Sequence, residues 1–95
     1  MIRLTEEEIT EGLKTLNGWH TSKNAIHKQF NFKDFKQAFL FMTRVADLAE
    51  QLNHHPTWTN TYNTLHITLS THDAGGLTTM DFELAKQIDT LHHGF

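Results

Sequence analysis

The chain has 95 residues, enough for one compact domain and too few for two cores, so residues 1–95 are read as a single domain. Eight Lys and Arg against eleven Asp and Glu leave a net charge of −3 with no basic run, which argues against direct nucleic-acid binding. The absence of cysteine excludes disulfides, thiolate metal sites and cysteine nucleophiles; no apolar run reaches a membrane span, and the acidic start MIRLTEEEIT is unlike a signal peptide, so a soluble cytoplasmic domain is expected.

A first helix is predicted from Thr5, where Thr5 and Glu8 form a capping box. Ile9, Leu13 and Leu16 make its apolar stripe, and Asn17-Gly18 ends it. A hairpin follows: Trp19 to Thr21, a turn at Ser22 to Asn24, then Ala25 to Phe32, where Ile26, Lys28, Phe30 and Phe32 alternate onto one face. Asp34 caps a long helix to about Leu52. This helix carries two apolar stripes, Phe35-Phe39-Met42-Ala46-Ala49 and Ala38-Phe41-Val45-Leu48-Leu52. Together they are wider than the roughly 100° arc one core face needs, so either the core is broad or part of the arc meets another subunit, with Phe41 and Val45 as interface candidates. After Pro56, strands are predicted at Trp58 to Tyr62 and Leu65 to Thr71, joined at Asn63-Thr64. Leu65, Ile67, Leu69 and Thr71 face one way, and His66, Thr68, Ser70 and His72 the other. A Gly-Gly loop, Asp73 to Leu77, leads to a third helix opened by Thr78 and Asp81, with Phe82, Ala85, Ile88 and Leu91 inward. His92 to Phe95 reads as a tail with no specific role for its histidines. The order α-β-β-α-β-β-α implies an α+β, two-layer fold: a four-stranded antiparallel sheet with three helices on one face.

Two segments carry chemistry. Glu50 to Pro56 ends the long helix with His54 and His55, and Ser70 to Gly76 ends the last strand with His72. Proline biases His55 to extended geometry, so adjacent imidazoles diverge. Imidazoles titrate nearest neutrality, so one can be acid while another is base at the same pH. The blander alternatives are helix-terminal histidines that complement the dipole and an exposed strand-end histidine. Three histidines also suggest a catalytic zinc, but the chain lacks a His-x-x-x-His pair and any cysteine, so no metal is expected. Gly75 and Gly76 serve loop geometry, since no phosphate-loop fingerprint is present. Trp19 and Trp58 are core or ligand-wall aromatics, and His20, His27 and His66 are surface or satisfied strand residues.

The run Ala49-Glu50-Gln51-Leu52-Asn53-His54-His55-Pro56-x-Trp58-x-Asn60-x-Tyr62-Asn63 resembles the signature of pterin-4a-carbinolamine dehydratases. So does His66 to Thr78, and Phe30-x-Phe32-Lys33-Asp34-Phe35 with Phe41 to Ala46 fits the same family. Met80 stands where some members carry a charged residue. The resemblance implies dehydration of 4a-hydroxytetrahydropterin to quinonoid dihydropterin in tetrahydrobiopterin recycling, with no metal and no organic cofactor. It implies a homodimer or homotetramer, with sheet edges joined and long helices packed. It also implies a protein partner, either a hydroxylase or a transcription factor. Carried over by position, His54 and His72 transfer protons, His55 joins them by binding and orienting the pterin, and Glu50 fixes an imidazole. Pro56 and Trp58 shape the pocket, Thr71, His72, Asp73 and Ala74 meet the pterin's polar edge, and Trp19 approaches the ring face. The alternative function is a dimerisation or coactivator module acting through its helical surface.

Overall fold

The computed structural model describes residues 2–95. Helix α1 is Glu6–Leu13, and its capping box is made as the sequence implies: Thr5 Oγ1 accepts the Glu8 N–H, and Glu8 accepts the Thr5 N–H at 2.9 Å. It stops earlier than Asn17-Gly18. The Thr15 hydroxyl donates to the Gly12 carbonyl at 2.7 Å, and the N–H groups of Lys14, Thr15 and Leu16 each turn back to a carbonyl three residues earlier. These tight turns keep Leu16 against the edge of the core.

Strands β1 (His20–Ser22) and β2 (Ala25–Asn31) are joined by only Lys23 and Asn24, with φ 51° and 63°. Two consecutive left-handed residues match the type I′ hairpin, which shifts β1 one residue later than expected and turns Trp19 into the core. Helix α2 is Phe35–Leu52, capped by Asp34, whose carboxylate accepts the Gln37 N–H at 2.8 Å. Strands β3 (Thr57–Thr61) and β4 (Thr64–Leu69) follow, each starting one residue earlier than predicted, because Tyr62 takes φ 50° and makes the turn with Asn63. The Asn60 amide holds that turn by donating to the Tyr62 and Thr64 carbonyls at 3.1 and 3.0 Å.

The strand order is β1-β2-β4-β3, with every pairing antiparallel. Leu65, Ile67 and Leu69 of the inner strand β4 meet Ile26 and Phe30 of β2 on one face, all at most 1% exposed. Helix α2 and helix α3 (Thr79–His92) cover that face with Ala38, Phe41, Val45, Leu84, Ala85 and Ile88, each fully buried. Phe41→Ala would cost about 3–5 kcal/mol, a large share of the 5–15 kcal/mol typical of a domain. Phe41 and Val45 are therefore core residues and not an interface. The sheet takes the second stripe together with Ala49 and Met42 of the first, and the exposed apolar face of α2 is Phe35, Phe39 and Leu40, about half exposed.

Helix α1 has no buried residue and rests on α3 where Gly12 meets the Phe82 ring. The C-terminal end is not idle. The His92 ring packs edge-on against Phe30, Phe32 and Phe41, with centroids 4.9–5.7 Å away, and Phe95 adds to the same cluster. Burial, and secondarily the Lys28 ammonium, hold the His92 imidazole below its ordinary pKa. On the open sheet face, His27 lies between His20 and His66 and has both ring nitrogens bonded, to Thr68 Oγ1 and the Ser22 carbonyl.

Candidate active site

Two chain exits meet at one carboxylate. The first is the end of α2. Asn53 adopts the left-handed conformation (φ 50°), its N–H reaches Glu50 O at 3.2 Å, and the His54 N–H reaches Ala49 O at 3.0 Å. This is a Schellman closure, which aims the chain sharply out of the helix at His54. His54, His55 and Pro56 then run into β3. The second exit is the end of β4, where Thr71 bridges Gly76 in both directions and closes a small loop. His72–Ala74 forms a single 3-10 turn inside it, and Gly75 (φ 71°) takes the left-handed position. Loop geometry is thus the use of Gly75, as expected from sequence.

Asp81 joins the two. It is fully buried in the first turn of α3. Its Oδ1 receives His54 Nε2 at 2.6 Å, and its Oδ2 receives the Thr71 hydroxyl at 2.8 Å and the Thr78 N–H at 2.9 Å. A carboxylate accepts only, so a neutral His54 carries its proton on Nε2 and leaves Nδ1 as the bare nitrogen. Charge-assisted bonds of this length fix both the tautomer and the ring. The His54 side chain is 11% exposed, so the imidazole sits just below the surface.

Glu50 engages the other histidine. Its Oε2 accepts from His55 Nε2 at 2.6 Å, but this pair is exposed (77% and 54%), so it orients a ring without adding much stability. His72 and Asp73 are exposed, and Ala74 is half-buried beside them. Pro56 is half-buried, and Trp58 lies at the edge of the core opposite Ile67. Thr71 is 8% exposed with its hydroxyl already engaged. Trp19 goes elsewhere. Its indole N–H donates to both oxygens of Asp89, which also pairs with Lys28 at 2.9 Å. Asp89 lies eight residues along α3 from Asp81, about 12 Å of helix. Among the described residues no three His, Asp or Glu side chains converge to hold a metal ion.

The sequence signalled Asp81 only as a helix cap. Its second oxygen was the missed feature: a capping carboxylate has one oxygen to spare, and a histidine from another exit takes it.

Comparison with known proteins shows what the whole chain is similar to. A family model described as pterin 4 alpha carbinolamine dehydratase matches residues 2–91. A relative from Christiangramia forsetii, bearing that family name, is 50% identical over 91 residues, covering 96% of this chain and 94% of its own. The Drosophila melanogaster protein named pterin-4-alpha-carbinolamine dehydratase is 51% identical over 95% of this chain, which spans 49% of the fly protein's length. A crystal structure from Brucella melitensis, described as a transcriptional coactivator/pterin dehydratase, superposes with a TM-score of 0.91 at 44% identity, covering 94% of this chain and 97% of that one. A pterin dehydratase-like RuBisCO assembly factor of the alpha-carboxysome shares the fold alone, at TM-score 0.64 and 23% identity over 77% of this chain. Matched along nearly its whole length by the family model and by relatives at half identity, the chain belongs to the pterin-4-alpha-carbinolamine dehydratase family of hydro-lyases.

Proposed function

We propose that this protein dehydrates a 4a-hydroxytetrahydropterin to the quinonoid dihydropterin by histidine acid–base catalysis, a step of tetrahydrobiopterin recycling. The observation that carries the reading, in a chain of this family, is the buried Asp81 bond that leaves Nδ1 of His54 for proton exchange. The reaction breaks the C4a–O bond, and the hydroxyl leaves as water with one added proton. The N5 proton is lost, and the N5 electron pair forms the new double bond to C4a. One group must give a proton and another must take one, each step worth roughly 10²–10⁴-fold. His54 and His72 fill these roles from the two chain exits. His55, held by Glu50, binds and orients the pterin beside them, and Pro56, Trp58, Asp73 and Ala74 form the rim. The chain's own side chains supply the acid and the base, so no step calls for a metal or an organic cofactor.

Stopped-flow dehydration with chelator-treated protein tests this. His54→Ala and His72→Ala should each lose at least about 10²-fold in rate while remaining folded. Parent-like turnover in both variants would refute the assignment. A second reading is favoured by the exposed Phe35, Phe39 and Leu40 and by the coactivator description of the Brucella protein. Under it, the α2 face joins copies of this chain as a homodimer or homotetramer, or holds a protein partner. Phe39→Ser would then alter assembly and spare the dehydration rate.

A further inference from the structure

The Thr71 hydroxyl is turned into the protein, toward Asp81 and Thr78. Every polar group of this residue is already used. Its N–H donates to Gly76 O at 2.9 Å, and its carbonyl accepts from Ala74 N and Gly76 N at 3.1 and 3.3 Å. Its hydroxyl lies 2.8 Å from both Asp81 Oδ2 and Thr78 Oγ1. Counting protons fixes the direction. The carboxylate only accepts, so the single Thr71 hydroxyl proton goes to Asp81, and the Thr78 hydroxyl must donate to Thr71. Thr78 Oγ1 in turn accepts the Met80 N–H at 3.3 Å. The chain runs one way, from a backbone N–H at the start of α3 through two hydroxyls to Asp81, with His54 on the other oxygen. Thr78 is fully buried and Thr71 8% exposed, so no bulk water competes, and each link polarises the next.

The helix cap does not require this arrangement. Thr78 and Asp81 complete the capping box by themselves, and valine is close to threonine in shape while lacking its hydroxyl. What the Thr71 hydroxyl adds is a second donor on Oδ2, which pins the carboxylate rotamer and so the direction of Oδ1 toward His54. We infer that Thr71, backed by Thr78, is a positioning residue that sets the His54 tautomer through Asp81. This rests on the dehydratase reading only for its kinetic consequence.

The test compares Thr71→Val, which keeps the shape and removes the hydroxyl, with Thr71→Ser, which keeps the hydroxyl. Long-range imidazole ¹H–¹⁵N NMR on the intact chain reads the His54 tautomer, and stopped-flow kinetics read kcat and KM. For Thr71→Val we expect a His54 spectrum shifted away from the pure Nε2–H form. We also expect kcat to fall about three- to tenfold, the range for loss of one ordinary hydrogen bond, with KM within about twofold. Thr71→Ser should restore both. An unchanged His54 spectrum in Thr71→Val overturns the inference, as does a raised KM at constant kcat, which would make Thr71 a substrate contact. Should Thr71→Val not fold, the parent decides: a slowly exchanging Thr71 hydroxyl resonance supports the chain of donors, and its absence overturns it. If the parent protein fails to dehydrate the pterin, the functional reading falls, while the imidazole spectra still decide the role of Thr71.

Discussion

Replacing Asp81 by asparagine keeps the shape and changes the hydrogen-bond arithmetic. The carboxylate accepts three bonds, from His54 at 2.6 Å, Thr71 at 2.8 Å and the Thr78 N–H at 2.9 Å. An amide offers one oxygen and two N–H donors. The best use of the oxygen keeps Thr71 and Thr78 and saves the helix cap. The amide N–H₂ then faces His54 Nε2, which must become an acceptor, so the imidazole proton moves to Nδ1. All three contacts survive as neutral bonds, each weaker than its charged counterpart by about 1 kcal/mol. The expected loss of stability is about 2–3 kcal/mol, a fall in Tm of roughly 10–20 °C for a chain this size. The rate should fall by about 10²-fold or more, because Nδ1, the nitrogen proposed to exchange protons, would then carry the proton. Thermal unfolding, stopped-flow dehydration and imidazole NMR check the three parts. A folded Asp81→Asn protein with a rate within about threefold of the parent would refute the tautomer argument.

Three further outcomes follow from the packing. At Gly12, a Cβ would stand 2.7 Å from Phe82 Cε1 and 3.0 Å from Cδ1. Gly12→Ala should therefore cost about 1 kcal/mol net, because overpacking outweighs the gain in helix propensity, and a rise in Tm would contradict the contact. Asn53→Gly should be nearly neutral, whereas Asn53→Ala should cost about 1 kcal/mol at the left-handed position and lower the rate by displacing His54; equal Tm values for the two would count against it. The His92 pKa is lowered by folding, so the unfolded chain binds more protons. Its contribution is complete above the ordinary imidazole value, about 6.5, and is lost as pH falls from there through the lower folded value. His92→Phe should therefore flatten the acid side of the stability profile, and denaturant midpoints at pH 7.5 and 5.5 that drop equally in parent and variant would refute this.

Local rules of the sequence sufficed for much of this fold. Thr5 with Glu8, Asp34, and Thr78 with Asp81 announced the three helix starts, because a cap is read from residues three apart. The alternation of Ile26, Phe30, Leu65, Ile67 and Leu69 announced the sheet's buried face. Turn positions were less legible. Lys23 and Tyr62 adopt positive φ although neither residue type favours it, since the hairpin registers impose the conformation from outside. The choice between the two α2 stripes was not legible either, because Phe39 and Phe41 are equally apolar and only the sheet's position separates them. The site segments with His54, His55 and His72 stood out by composition. The bond from His54 to Asp81 spans 27 positions between two helices, and no local pattern encodes it. Trp19 has its partner 70 positions away, which is why its core role was not distinguishable from a ligand wall.

Asp81 both caps α3 and holds His54, so the proposed proton transfer depends on the lifetime of a single helical turn. Helix ends open locally at a smaller free energy than the whole fold. Each such opening at the start of α3 withdraws Oδ1 from His54 and leaves the imidazole to sample both tautomers. Under the proposed mechanism, catalytic competence therefore has its own melting curve, expected to run below the global one on the temperature axis: a warmed sample would stop working while its sheet, its long helix and its aromatic cluster are still in place.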